Sequence, residues 1–271
     1  MLLPAWFRSA AEFRENRWAA ATLPRYSREQ PIRAIMPGQK RGRNDLMEER
    51  TRGVPETDSI SLGVDLCRFR SDDNLFRQQK KFVKYFLGAP GPILDLGCGR
   101  GVLLELLHRE RVDSYGVDTF GPGLEVCREK GLRVVDCDLF AHLKGLPHSS
   151  LGGIFCSHVV EHLTPALAMS LLRESARVLR PGGTVVLVTP NSKDLLVVTE
   201  GFWLDPTHVR LYPARLLVML LQEVGFHSVE TLEDKDTRYS NVLYKRIGGF
   251  IRRLWFWGLI NRGDVIAVAR K

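Results

Sequence analysis

Several things are scarce in this chain, and each scarcity excludes something. No apolar run approaches the roughly 18 residues that a membrane-spanning helix needs; the longest, 216–221 and 255–260, are far shorter. Cysteine is sparse, with five residues at 67, 98, 127, 137 and 156 and no C-x-x-C pair. An odd count in that pattern fits reduced thiols in a cytoplasm rather than a disulfide frame. Each thiol reads as a small buried hydrophobe, except Cys98, whose backbone lies in the loop discussed below. The start lacks a secretory apolar region. Residues 1–30 are rich in arginine, but Glu12, Glu15 and Glu29 argue against a transit peptide. No internal repeat is visible.

What is present is a chain of 271 residues, 44% hydrophobic, enough for one good core and an appendage. Lys and Arg number 39 against 31 acids, a net charge of +8. That balance suits a polyanionic partner: nucleic acid, anionic lipid or a phosphorylated substrate. Residues 1–75 lack sustained periodicity and carry charge clusters such as Lys40-Arg41-Gly42-Arg43, which reads as a partly disordered extension. Residues 76–271 form the expected domain, led in by a helix over 76–86. From Pro92 onward short apolar strands alternate with helices, the signature of a parallel sheet covered on both faces. The strands fall at 92–96, 113–117, 132–135, 152–157, 184–189, 226–231 and 264–270, with helices near 101–110, 122–130, 164–180 and 212–224. Thr164 followed by Pro165 signals the start of the third of these helices, and Pro181-Gly182-Gly183 its end.

The most informative stretch is Ile93-Leu94-Asp95-Leu96-Gly97-Cys98-Gly99-Arg100-Gly101. A strand ends in three closely spaced glycines and enters a helix, whose start offers free N–H groups and the positive end of its dipole. Such a junction binds an anion or a carboxylate. The spacing G-x-G-x-G is not the dinucleotide G-x-G-x-x-G, and Asp95 beside the loop suits an ammonium better than a pyrophosphate. A ligand that combines carboxylate, ammonium and nucleoside is S-adenosylmethionine. The second strand ends in Asp118, 21 positions after Gly97, where an acid accepts hydrogen bonds from ribose hydroxyls. The bland alternative for Asp118 is a helix cap or a solvated strand end.

On these residues the chain resembles the class I S-adenosylmethionine-dependent methyltransferases, whose first motif reads much like Leu94 to Gly101. The resemblance covers about residues 75–230. It implies an α/β fold, Rossmann-like and doubly wound, with a seven-stranded sheet that is mostly parallel. The last strand would insert antiparallel beside the fifth. It implies that Asp95 and the loop (Gly97, Cys98, Gly99, Gly101) hold the methionine part. Asp118 would then hold the ribose, and Asp138 the adenine amino group, with the Leu139 amide against the ring. Asp136 is the rival for the Asp138 role, and a helix cap over 139–144 is compatible with either. The fourth strand departs from the pattern, with Gly152 and Gly153 where the family begins with an acid. His158, at that strand's carboxyl end, should face the methionine portion or the substrate.

Two histidine segments lie toward the reacting end. His158-Val159-Val160-Glu161-His162 has metal-ligand spacing. Ubiquinone-pathway O-methyltransferases and small-RNA 2′-O-methyltransferases are similar here, with E-x-x-E-H and a divalent ion, but this chain has His158 in place of the first acid. A structural Glu-His corner without metal is the other reading. The second segment, Phe202 to Tyr212, follows the fifth strand and reads as a substrate lid. In it His208 is either a general base for a hydroxyl or a loop staple. Asp205 would orient the imidazole or contact the substrate, and Arg210 would pair with an anionic acceptor. The lid most resembles that of methyltransferases in bacterial cell-surface polysaccharide synthesis. This implies O-methylation of a glycan, glycolipid or sugar-phosphate; an RNA or quinone-like acceptor and a non-catalytic cofactor-binding module are the alternatives.

Residues 235–262 carry seven Lys/Arg against one acid, interleaved with aromatics. Three readings stay open there: a helical cover packed on the domain, peripheral contact with an anionic inner-membrane surface, or a single-stranded nucleic-acid platform.

Overall fold

In the computed structural model residues 72–234 and 262–271 are described. The extension through residue 71 and nearly all of the basic aromatic segment 235–262 lie outside them, with the membrane and nucleic-acid readings placed there. Among the described residues no helix is long and apolar enough to cross a membrane.

The helix expected over 76–86 starts four residues earlier and changes type. Helix α1 (Asp72–Gln79) passes into a 3-10 stretch (Lys80–Tyr85). The tighter winding turns Phe82, Val83 and Phe86 onto one face of the sheet. Then follow β1 (Ile93–Leu96), α2 (Val102–Arg109), β2 (Ser114–Asp118), α3 (Gly121–Glu129), β3 (Val134–Asp136), α4 (Leu139–Gly145) and β4 (Leu151–Ser157). After a 3-10 turn (Val160–His162) come α5 (Pro165–Val178), β5 (Leu179–Thr189), α6 (Leu195–Thr199), a 3-10 turn (Gly201–Leu204), α7 (Ala214–Glu223), β6 (Ser228–Glu233) and β7 (Val265–Arg270).

The seven strands form one sheet in the order β3-β2-β1-β4-β5-β7-β6. Pairing is parallel from β3 through β5, and β7 runs antiparallel to both β5 and β6. The expected doubly wound architecture with one reversed strand is therefore present. β1 is buried on both faces. Its Leu94 and Leu96 join the core under α5 and α7, while Ile93 joins Phe82, Phe86 and α2 on the other side. This two-sided burial is why the parallel strands read as continuous apolar runs.

Boundary shifts have local causes. β3 begins at Val134 because the Leu132 amide closes the end of α3 on the Cys127 carbonyl. β6 begins at Ser228 because the Phe226 amide closes α7 on Leu221. α7 starts at Ala214 because Tyr212 is fully buried with its hydroxyl on the Leu163 carbonyl (2.8 Å), ahead of an extended Pro213. β5 reaches back to Leu179, and its register against β4 skips from Leu179 to Thr184 around Pro181-Gly182-Gly183. The two glycines that replace an acid in β4 have a steric reason. A Cβ at Gly152 would lie 2.5 Å from the Gly91 carbonyl oxygen, and one at Gly153 would lie 2.7 Å from the Phe86 ring. Thr164 caps α5 as expected, accepting from the Leu167 amide, with Pro165 at the first turn.

Candidate active site

The loop after β1 carries positive φ at Gly97, Gly99 and Gly101 (73°, 51° and 70°), a backbone path that side chains resist. Four of its amides already have partners. Gly97 and Cys98 both donate to the Val117 carbonyl (2.9 and 3.2 Å), and Gly101 donates to Cys98 (2.9 Å). The Gly99 amide donates to the Asp118 carboxylate at 2.7 Å. Cys98 therefore spends its own N–H on the turn and buries its thiol. The Gly97 carbonyl accepts no backbone hydrogen bond among the described residues.

Asp95 lies directly beneath this loop and is only 4% exposed. No hydrogen bond or ion pair among the described residues engages its carboxylate. Burial first, then the neighbouring Asp118 carboxylate, holds its pKa well above the ordinary acid range. A buried carboxyl beside a second carboxylate is an arrangement whose cost a cation would relieve. Asp118 ends β2 with both oxygens engaged, one by Gly99 and one by the Phe120 amide (2.8 Å). It pins the loop to the start of α3. Asp138 caps α4, one oxygen accepting from Phe140 and Ala141 (3.0 and 2.9 Å), while Leu139 opens that helix. Asp136 is the last residue of β3 and is exposed.

The second cluster forms where β4 and β5 end. Glu161 is fully buried; one oxygen meets His158 Nδ1 (3.0 Å) and the other accepts from the Thr189 hydroxyl (3.0 Å). Its backbone carbonyl accepts from the amides of Val209 and Arg210, which fastens the lid. His158, expected to face the methionine portion or the substrate, is committed elsewhere. It adopts φ 55°, and its Nε2 lies 3.3 Å from Asp264. Burial alone would lower its pKa, but the Asp264 and Glu161 carboxylates outweigh that and raise it to about 10.

His208 is stacked on Phe202 (4.6 Å) and tilted against His162 (4.7 Å). Its Nδ1 lies 2.6 Å from the Phe202 carbonyl, which can only accept, so Nδ1 carries a proton and the neutral ring has its lone pair on Nε2. The same logic fixes His162. The Thr207 hydroxyl donates to Asp205 (2.6 Å) and so accepts from His162 Nδ1 (2.8 Å). Burial holds the His162 pKa below its ordinary value, His208 acting in the same direction. Burial opposes ionisation of Asp205, yet the Thr207 hydroxyl and amide hold its pKa low. Asp205 lies 3.9 Å from His208 Nε2. Donor atoms of Glu161, His162 and His208 all fall within 4.8 Å of one another.

Thr189 and Asp264 take part without any local signal in the sequence. Because β7 is antiparallel, its start (Val265) lies opposite the end of β5 (Thr189), which delivers Asp264 to the carboxyl edge. A cavity of about 710 Å³ lies at the opposite edge, among Arg109, Arg111, Ser114 and Arg133 at the starts of β2 and β3. It contains none of the residues above.

A family model described as "Methyltransferase domain" matches residues 71–231. The chain belongs to the methyltransferase-domain family. The chain is 31% identical over 156 residues to the ubiquinone biosynthesis O-methyltransferase of Vibrio cholerae, covering 49% of the chain and 62% of the relative. It is 33% identical over 111 residues to "Probable tRNA methyltransferase 9B" of Mus musculus (39% and 24%). The chain thus spans less than two thirds of the curated relatives' length. Among solved structures, a SAM-dependent methyltransferase from Archaeoglobus fulgidus superposes with TM-score 0.63 at 27% identity, over 85% of this chain and all of that one.

Proposed function

We propose that this methyltransferase uses S-adenosylmethionine to methylate a hydroxyl of a small aromatic, quinone-like acceptor. The observation that carries the cofactor is the buried Asp95, with no partner among the described residues, beneath the glycine loop. An ammonium docked there meets the Asp95 carboxylate and the Gly97 carbonyl, and its charge favours the ionised form that burial otherwise opposes. Asp118 retains lone pairs for ribose hydroxyls, Asp138 for an adenine amino group, and the Leu139 amide meets the ring. Methyl transfer from a sulfonium is an in-line displacement, so alignment supplies much of the acceleration. A hydroxyl acceptor must also lose a proton. His208 Nε2 holds a lone pair fixed by the Phe202 carbonyl, and it accepts that proton.

The acceptor expected from the lid's resemblance was a glycan; the curated relatives above act in ubiquinone biosynthesis or on tRNA by name, and they support the aromatic reading better. Exposed apolar side chains on the lid, Trp203, Leu204 and Val209, fit an aromatic or apolar acceptor as well.

A second reading uses the same lone pair. Glu161, His162 and His208 offer one carboxylate and two imidazoles, a donor set that fits a divalent ion. Bound there, the ion would act as a Lewis acid on the acceptor hydroxyl. The residues' own part is then to present Nε2 lone pairs, each ring oriented by the partner on its Nδ1. Turnover on a catechol-type probe, with and without exhaustive chelation, separates the readings. With His208 as base, activity survives chelation and falls about 10²–10⁴-fold in His208→Ala, while S-adenosylhomocysteine affinity is unchanged. Loss on chelation, restored by a divalent ion, transfers the role to the metal. A glycan acceptor turned over in preference to the phenol would overturn the aromatic reading.

A further inference from the structure

We propose that Trp203 determines acceptor specificity, its indole forming a platform on which the ring of a phenolic acceptor lies beside His208. This role rests on the aromatic-acceptor reading above, and the experiment below separates the two.

Trp203 is 65% exposed, more than any other large apolar side chain among the described residues. Such exposure ordinarily goes with a loose side chain, yet this residue is held on three sides. Its Nε1 donates to the Val198 carbonyl near the end of α6 (2.8 Å). Its amide donates to the Glu200 carbonyl (2.9 Å). Its ring packs edge-on against Phe202, with centroids 5.1 Å apart and planes at 88°, and Phe202 is itself buried. The one polar atom of the indole is therefore satisfied within the lid. What remains for solvent is a flat apolar face in a fixed orientation. Holding a large ring still outside the core costs conformational freedom and hides little surface. A ligand ring laid on it recovers that surface, and the ordering is already done.

The platform and the proton acceptor share one support. Phe202 meets Trp203 by an edge, stacks on His208 (4.6 Å, 26°), and accepts from His208 Nδ1 through its carbonyl (2.6 Å). An acceptor ring on the indole is thus one residue removed from the group that takes its proton. The surroundings favour an aromatic ring over a sugar. Leu204 and Val209, exposed on the same lid, are apolar. The polar groups between them answer one another: Asp205 Oδ1 accepts from the Thr207 amide and hydroxyl (2.9 and 2.6 Å), and that hydroxyl meets His162 (2.8 Å). The guanidinium of Arg210 lies over the Tyr212 ring (5.3 Å). A sugar seated here would leave a rim of hydroxyls short of partners. A phenol asks for a polar contact chiefly at the hydroxyl that is methylated.

The test uses the full chain with catechol as the probe acceptor and S-adenosylmethionine as the methyl donor. Steady-state turnover is compared in the parent, Trp203→Ala, Trp203→Leu and Trp203→Phe, with S-adenosylhomocysteine affinity by calorimetry as the check of fold. Loss of the indole face should raise KM for catechol about tenfold in the Ala and Leu variants, with kcat nearly unchanged and cofactor affinity intact. Trp203→Phe keeps a flat aromatic face and should recover most of the loss. A merely structural role would instead lower kcat at unchanged KM, through Phe202 and His208, and that result overturns the platform. Recovery by Leu as complete as recovery by Phe overturns the stacking. Where the parent methylates catechol, an unchanged KM in all three variants strikes the platform alone. A parent that leaves catechol unmethylated strikes the aromatic-acceptor reading, and the platform falls with it.

Discussion

The carboxyl edge of the sheet holds its acids in two ways. On the β1–β3 side, Asp118 and Asp138 are satisfied by main-chain amides within 20 residues of themselves: Gly99 and Phe120 for one, Phe140 and Ala141 for the other. On the β4–β5 side, Glu161 is satisfied by His158 and Thr189, and His158 in turn by Asp264, more than 100 residues along the chain. The first half is a turn that the local sequence can build by itself. The second exists only once the sheet has closed with β7 in place, so its chemistry depends on long-range folding and its removal is felt by the whole domain.

That difference predicts the largest effect for Glu161. Its carboxylate is fully buried and shared by two side chains, while its carbonyl holds the lid amides. Glu161→Ala removes the carboxylate, leaving the His158 ring with Asp264 alone and the Thr189 hydroxyl without its acceptor. Breaking one partner of a buried pair costs about 3–5 kcal/mol, read as a drop in the urea midpoint. Asp118→Ala, whose lost partners are main-chain amides near the surface, should cost much less stability while weakening cofactor binding. Equal stability losses would break the comparison.

The same contrast explains how far the sequence could be read. The glycine loop, Asp118, Asp138 and the Thr164 cap are patterns of a few residues, and each lies where the pattern put it. Even so, the loop's amides had partners that spacing does not reveal: Val117 and Asp118 come from the neighbouring strand. At the other end, the H-x-x-E-H spacing located the cluster but misread His158. Its carboxylate partner Asp264 arrives only through the antiparallel register of β7 against β5, which the resemblance implied and periodicity did not. The tie between Glu161 and Thr189 is of the same kind. Local chemistry was legible, and partners brought by the sheet were not.

A smaller effect separates affinity from stability within the first half. Asp95 has its pKa raised by burial and by Asp118, so the folded state favours the protonated form. Its contribution to stability is present below the ordinary carboxyl pKa and is lost as pH rises through the raised value. Asp95→Asn removes this burden, so the ligand-free variant should be no less stable than the parent near neutral pH. Binding should suffer instead, because the ammonium loses a charged acceptor. About 1.5–3 kcal/mol for a hydrogen bond to a charged group corresponds to roughly 10–150-fold in Kd for S-adenosylhomocysteine. A variant that binds normally would remove the cation seat, whatever its stability.

The last effect is a slope, and it belongs to the second half. His158 titrates near 6.5 in an unfolded chain and at about 10 in the fold, where the Asp264 and Glu161 carboxylates overcome burial. A raised folded value means stabilisation that is complete below the unfolded pKa and is lost as pH climbs through the folded one. Urea midpoints measured from pH 6 to pH 10 should therefore decline across that window in the parent. His158→Gln retains a hydrogen-bonding side chain but cannot carry the proton, so its curve should be flatter and should start lower at pH 6. Asp264→Asn should flatten the slope as well, because it removes the distant carboxylate while leaving the local one at Glu161. If only the Glu161 partner mattered, Asp264→Asn would keep the full slope, and the link between β7 and the end of β4 would carry no energy.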